Sequence, residues 1–108
     1  NGIAASFGAE VEINIIQGYP MLFNDEKITS VIKSKAESYL GTDNVITIPK
    51  RMTSEDFAYF AQKVPCCFYR LGTNSIQNEY IHSVHSPHFN IDEKALETGC
   101  GLIAALVI

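Results

Sequence analysis

Residues 45–72 read VITIPKRMTSEDFAYFAQKVPCCFYRLG, and this stretch decides the predicted fold class. Val45–Ile48 and Cys66–Leu71 are short apolar runs bounded by proline or glycine, which is typical of buried strands. Between them, Thr53–Asp56 offers N-cap and acidic residues ahead of an amphipathic helix that Pro65 ends. The stretch therefore predicts a strand, a helix and a second strand.

The sequence on both sides continues this alternation. Ala9–Ile16 alternates apolar with polar residues, the period of a half-buried strand. Glu26–Leu40 places apolar residues at helical spacing, after N-cap candidates at Asn24 and Asp25 and before a glycine cap. Two further helices are predicted, at residues 3–7 and from Glu93 onward. The whole pattern predicts an α/β fold with helices packed on a sheet.

The composition is that of a globular chain with no basic surface. The 108 residues carry 8 Lys and Arg against 12 Asp and Glu, a net charge of −4, and 46% are hydrophobic. We therefore expect neither nucleic-acid nor membrane binding, since no basic stripe is present and the longest apolar run is short. The three cysteines include the adjacent pair Cys66 and Cys67, a poor disulfide framework, which favours a reducing, cytoplasmic location.

The two ends of the chain are unusual for a small domain. The sequence opens on Asn1-Gly2 without methionine and stops on the apolar residues Val107 and Ile108. Domains usually end on polar, solvated residues. We therefore expect that these residues are a piece of a larger protein.

All three histidines lie in one polar loop, at His82, His85 and His88. Histidine is a common zinc ligand, but residues three apart in an extended chain point to opposite faces. Pro87 disfavours a helix that would change this arrangement. At most one or two of these side chains are expected to serve one metal, and a single-metal site made of all three is disfavoured. The alternative is a solvated loop whose histidines bind nothing.

Glu55 and Asp56 also allow two interpretations. An acidic first turn stabilises a helix N-terminus, and nothing further is required to explain it. Alternatively, the carboxylates lie beside a site, where they orient a ligand or a metal-bound histidine. Cys66 and Cys67 are predicted to be buried and inert, and Arg70, in the same apolar run, is expected to have a carboxylate partner that the sequence does not identify.

Taken together, four segments resemble a known family. They are MTSEDFAYF at 52–60, VP at 64–65, FYRLG at 68–72 and HSPHFNIDEKAL at 85–96. Their order and spacing resemble the C-terminal third of the metal-dependent amidohydrolases of the aminoacylase and hippurate hydrolase type, which belong to the zinc exopeptidase superfamily. Gly18-Tyr19-Pro20 is similar to the passage from the lid domain of this family back to its catalytic domain.

This resemblance implies a domain arrangement and an activity. Residues 1–17 would end an inserted α+β lid domain that mediates homodimerisation, and residues 18–108 would form the C-terminal part of an αβα catalytic domain. Such enzymes use two metal ions, typically zinc and in some members manganese, cobalt or nickel, with a bridging water and a glutamate base. They cleave the amide bond of N-acyl amino acids or small peptides.

The resemblance also assigns residues. It implies that His85 is the last metal ligand of the family, that Glu55 and Asp56 have an orienting role, and that His82 and His88 are not ligands. It identifies no substrate-binding residue. The other ligands and the glutamate base have no counterpart in these 108 residues, so we expect the chain alone to be inactive and to bind zinc weakly. The alternative function is a non-catalytic α/β module that binds a partner protein.

Overall fold

The computed structural model describes residues 2–74 and 82–107. Regular structure in these ranges consists of the helices α1 (Gly2–Ser6), α2 (Glu26–Leu40), α3 (Ala58–Ala61) and α4 (Lys94–Val107), with a 3-10 turn at Thr42–Asn44. No strand and no sheet occur in the described ranges. The predicted α/β fold, with its αβα catalytic part and the strand of a lid domain, is therefore wrong for the described chain.

The three predicted strands, Ala9–Ile16, Val45–Ile48 and Cys66–Leu71, have no regular secondary structure. An apolar alternation shows which side chains share a face, but a strand also needs a neighbouring strand for its backbone hydrogen bonds. No such ladder forms within the described ranges. The apolar side chains of the first run remain in solvent, with Ile13 65% and Ile15 82% exposed.

The helix α2 has the predicted bounds because both of its ends are capped. The Asp25 carboxylate accepts a hydrogen bond from the amide of Ile28 at 2.9 Å, which satisfies a first-turn donor. At the other end, Gly41 has φ 88°, and its amide donates to the Glu37 carbonyl at 2.9 Å. A residue with a Cβ is strained at that φ, so the glycine ends the helix.

The predicted helices at the two ends of the chain also form. Gly8 follows α1 with φ 65°, and its amide donates to Ala5 while the amide of Ala9 donates to Ala4. This is the paired bonding of a Schellman cap. At the start of α4, the Asp92 carboxylate accepts from the Lys94 amide at 3.0 Å, so this helix begins within one residue of its predicted start.

The helix α3 is much shorter than the spacing predicts. Thr53–Asp56 lies outside it, and Phe57 precedes its first residue without a side-chain cap. Hydrogen-bonded turns follow the helix after Ala61, since the amides of Lys63 and Val64 both donate to the Phe60 carbonyl. The proline at 65 then ends the segment, as predicted.

The two long helices α2 and α4 pack against each other and run antiparallel. Gly101 of α4 lies so close to the Tyr39 hydroxyl of α2 that an added Cβ would overlap it. Further along, the Lys35 ammonium donates to the Leu106 carbonyl at 3.3 Å, where a cation also complements the helix C-terminus. Cys100, the residue before Gly101, is exposed.

Asn24 joins residues 66–68 to the start of α2. Its side-chain amide donates to the Phe68 carbonyl at 2.8 Å and accepts from the Phe68 amide at 2.8 Å. The Asp25 amide adds a bond to the Cys66 carbonyl at 2.9 Å. Cys66 and Cys67 are half-buried free thiols, and Arg70 is exposed, so the predicted buried ion pair of Arg70 is not required.

The described chain is extended and buries few side chains. Its radius of gyration is 20.5 Å, against about 13 Å for a compact domain of this length. The buried hydrophobic residues of the described ranges are small apart from one leucine: Ala36, Ala58, Ala95 and Leu102. Among the described residues, no helix has the length and apolar content needed to span a bilayer.

Candidate functional site

The histidine segment consists of two consecutive tight turns. The Ser86 amide donates to the Ser83 carbonyl at 2.9 Å, and the Phe89 amide donates to the Ser86 carbonyl at 3.0 Å. Pro87 follows the first residue of the second turn, a position that its fixed φ favours. Each turn therefore carries one histidine, His85 or His88, at its third residue.

The turns expose all three imidazoles and bring two of them together. His82, His85 and His88 are each exposed. The rings of His82 and His88 have centres 5.4 Å apart and planes inclined at 47°. His85, the predicted ligand, is not a member of this pair. Spacing in an extended chain did not predict the approach of His82 and His88, because two successive turns reverse the chain between them.

Glu55 has a local structural role. Its carboxylate accepts from the Phe57 amide at 3.2 Å, and its carbonyl accepts from the Ala58 amide at 3.2 Å. These two bonds close a local turn ahead of α3, and they do not cap the helix itself. Asp56 is exposed. The orienting role of the two carboxylates at a reaction site stays a prediction.

The predicted site residues do not form a metal centre with one another. In residues 2–74 and 82–107, no group of three or more His, Cys, Asp or Glu side chains is placed to hold a metal ion. A catalytic zinc takes about three protein ligands. The residues present therefore do not fit a complete metal centre, and His85 offers a single imidazole donor.

Two open clefts lie near the start of α2, away from the histidines. Their volumes are about 310 and 550 Å³, and Phe23, Asp25 and Pro65 line both. No histidine lines either cleft, and Glu26 and Lys27 border only the larger one. Both clefts therefore lie at the start of α2 and not at the histidine loop.

Comparison with known proteins places the chain in a family of hydrolases. The sequence model of peptidase family M20/M25/M40 matches residues 2–108. The chain therefore belongs to this family. The expected resemblance to metal-dependent amidohydrolases is thereby confirmed at the level of the family.

Three relatives illustrate the range of names in this family. An N-acetyldiaminopimelate deacetylase of Oenococcus oeni is 35% identical over 99% of this chain and 27% of its own length. An IAA-amino acid hydrolase, ILR1-like 6, of Arabidopsis thaliana is 31% identical over 93% of this chain and 22% of its own. The protein YhaA of Bacillus subtilis, named as a candidate amidohydrolase, is 36% identical over 99% of this chain and 27% of its own.

The chain thus spans about a quarter of the length of these relatives. No solved structure matches it. The alignment therefore relates the 108 residues to one portion of a longer hydrolase sequence.

Proposed function

We propose that these residues are the C-terminal part of a metal-dependent hydrolase that cleaves the amide bond of N-acyl amino acids. One observation carries the proposal: the family match extends from residue 2 to residue 108, a range that contains all four of the resembling segments. Two of the relatives are named for hydrolysis of an acylated amino acid, one acetylated and one carrying an IAA group. Free amino acid and carboxylic acid would be the products.

In this proposal, His85 supplies one imidazole ligand. The turn that starts at Ser83 presents its ring to solvent rather than to the chain interior, so a nitrogen is open to a metal. The described residues hold no group that completes the ligand set. The remaining ligands and the general base would therefore come from outside these 108 residues, and this chain alone would be inactive.

Glu55 and Asp56 are assigned a positioning role at the reaction site of the whole enzyme. The Glu55 bond to the Phe57 amide fixes its carboxylate at the start of α3. Such a carboxylate can hold a metal-bound imidazole or a substrate group in one orientation. For this role, E55Q and D56N in the whole protein would lower kcat while metal content stays unchanged.

The native metal is assigned as a pair of zinc ions, with manganese, cobalt or nickel as substitutes. The enzyme would work on small molecules as a cytoplasmic homodimer, joined through the lid domain to which residues 1–17 belong. The three free thiols at Cys66, Cys67 and Cys100 fit a reducing compartment.

A direct assay tests the proposed function. The whole natural protein and the 108-residue chain would each be incubated with N-acetyl and N-benzoyl amino acids, and the released amine would be quantified. The proposal expects release by the whole protein, loss of release with a chelator, and none from the 108-residue chain. Chelator-sensitive hydrolysis by the 108-residue chain would refute the need for outside ligands.

The second candidate is a non-catalytic module that binds a partner protein. The apolar side chains left in solvent favour it, for example Phe7 at 84% and Ile16 at 85% exposure. Large exposed apolar surface is typical of an interaction site. This function would be preferred if the whole protein released no amine from any acylated amino acid or dipeptide at any added metal.

A further inference from the structure

The loop contains a second histidine arrangement that the proposed function does not use. His82 and His88 stand six residues apart in sequence, yet their ring centres are 5.4 Å apart. The two turns between them, closed by the Ser86 and Phe89 amides, produce this approach. Both rings are exposed, so a small ion reaches them from solvent.

We propose that His82 and His88 form a two-imidazole site for a divalent transition-metal ion, separate from the site to which His85 belongs. The ion is of the class that prefers imidazole nitrogen, namely Cu²⁺, Ni²⁺ or Zn²⁺. Water would fill the other coordination positions. The pair is smaller than a complete protein centre, which agrees with the absence of any three-residue group in the described ranges.

The ring separation matches the geometry of two imidazoles on one ion. A metal–nitrogen bond of about 2.05 Å, plus about 1.1 Å from nitrogen to ring centre, puts each centre about 3.2 Å from the ion. At the tetrahedral bond angle of a Zn²⁺ site, about 109°, two such rings have their centres about 5.2 Å apart. The separation of 5.4 Å is within a few tenths of an ångström of that value.

The two rings are not stacked face to face. Their planes meet at 47°, whereas stacked rings lie nearly parallel. Rotation about the side-chain bonds of exposed residues is inexpensive, so small adjustments that aim both nitrogens at one ion need no backbone movement. The chain between His82 and His88 forms two hydrogen-bonded turns, which hold the Cα atoms of the two histidines in place.

Copper titration of the 108-residue chain tests the pair. Cu²⁺ is the sharpest probe because it binds nitrogen ligands most tightly of the first-row divalent ions. Electron paramagnetic resonance counts the imidazole nitrogens bound to it, and calorimetry gives the affinity. We expect two nitrogens for the wild-type chain and one for H82A or H88A. Loss of even an outer partner weakens metal sites about 10- to 100-fold, so each variant should lose at least about tenfold in affinity.

H85A is the matched control, since it removes the third histidine of the same loop. It should keep two bound nitrogens and an affinity close to that of wild type, because the close ring pair is made by His82 and His88 and does not include His85. Two nitrogens retained in H82A or H88A would overturn the proposal. Equal weakening by H85A would also overturn it, because binding would then involve any histidine of the loop. No outcome depends on hydrolysis, so failure here leaves the proposed function separately testable.

Discussion

Asn24 is the residue whose replacement tests the observed packing most sharply. Its side chain makes two hydrogen bonds to Phe68, both at 2.8 Å, and a long, weak one to Cys67 Sγ at 3.8 Å, in a half-buried position. The two bonds to Phe68 alone set the expected magnitude. Only the bond from the Asp25 amide to Cys66 would remain between these segments in N24A, among the hydrogen bonds that the structure describes. The substitution should therefore release residues 66–68 from the start of α2.

The magnitude follows from the number of bonds lost. A protein hydrogen bond contributes about 0.5–1.5 kcal/mol net, so two contribute about 1–3 kcal/mol. At about 1.4 kcal/mol for each factor of ten, the Phe68 amide should exchange with solvent roughly 5- to 150-fold faster in N24A. Hydrogen exchange followed by NMR measures this rate directly.

Two further variants separate the contributions. N24D keeps an oxygen that accepts from the Phe68 amide but sets a second oxygen against the Phe68 carbonyl in place of the donor, so it should not restore wild-type protection of Phe68. N44A removes a comparable bond, from Asn44 to the Leu40 carbonyl at 2.8 Å, at the far end of α2. It should leave Phe68 unaffected. Equal Phe68 exchange in wild type and N24A would refute the bridging role of Asn24.

Two further predictions concern the ends of α2. D25A removes the cap on the Ile28 amide and should cost about 1 kcal/mol of helix stability, measured as faster hydrogen exchange of the Ile28 amide. D43A, the control, should leave this exchange rate unchanged. Equal Ile28 exchange in the two variants would argue against the cap. G41A places a Cβ at φ 88° and should lower the free energy of unfolding by about 1–3 kcal/mol. G72A, with open space around the added Cβ, should change it by no more than about 0.5 kcal/mol. Circular dichroism during heating compares the two variants, and equal melting temperatures would contradict the strain at Gly41.

The helices were largely predictable from sequence because their determinants are local. Asp25 and the glycine at 41 mark the ends of α2, and both act as the cap rules require. The strands were not predictable in this way. Ala9–Ile16 has the correct alternation, but whether a strand forms depends on hydrogen-bond partners at a distance, and none is present in the described ranges.

The candidate site was predictable only where a motif carries it. The segment beginning at His85 is defined by its neighbours Ser86 and Pro87, and family membership confirms the resemblance, while the ligand role of His85 stays a proposal. The approach of His82 to His88 depends on two turns in succession. Ser86 and Pro87, which begin the second turn, could have predicted that turn from the sequence, since proline at its second position favours a turn.

Metal content of the whole natural protein tests the central claim most directly. Wild type, H85A and H82A would be purified, dialysed and measured by atomic emission. If His85 is a ligand of a catalytic metal pair, wild type and H82A retain two tightly bound ions per subunit, whereas H85A retains fewer and loses hydrolysis with its fold intact. Two retained ions per subunit in H85A would contradict the assignment.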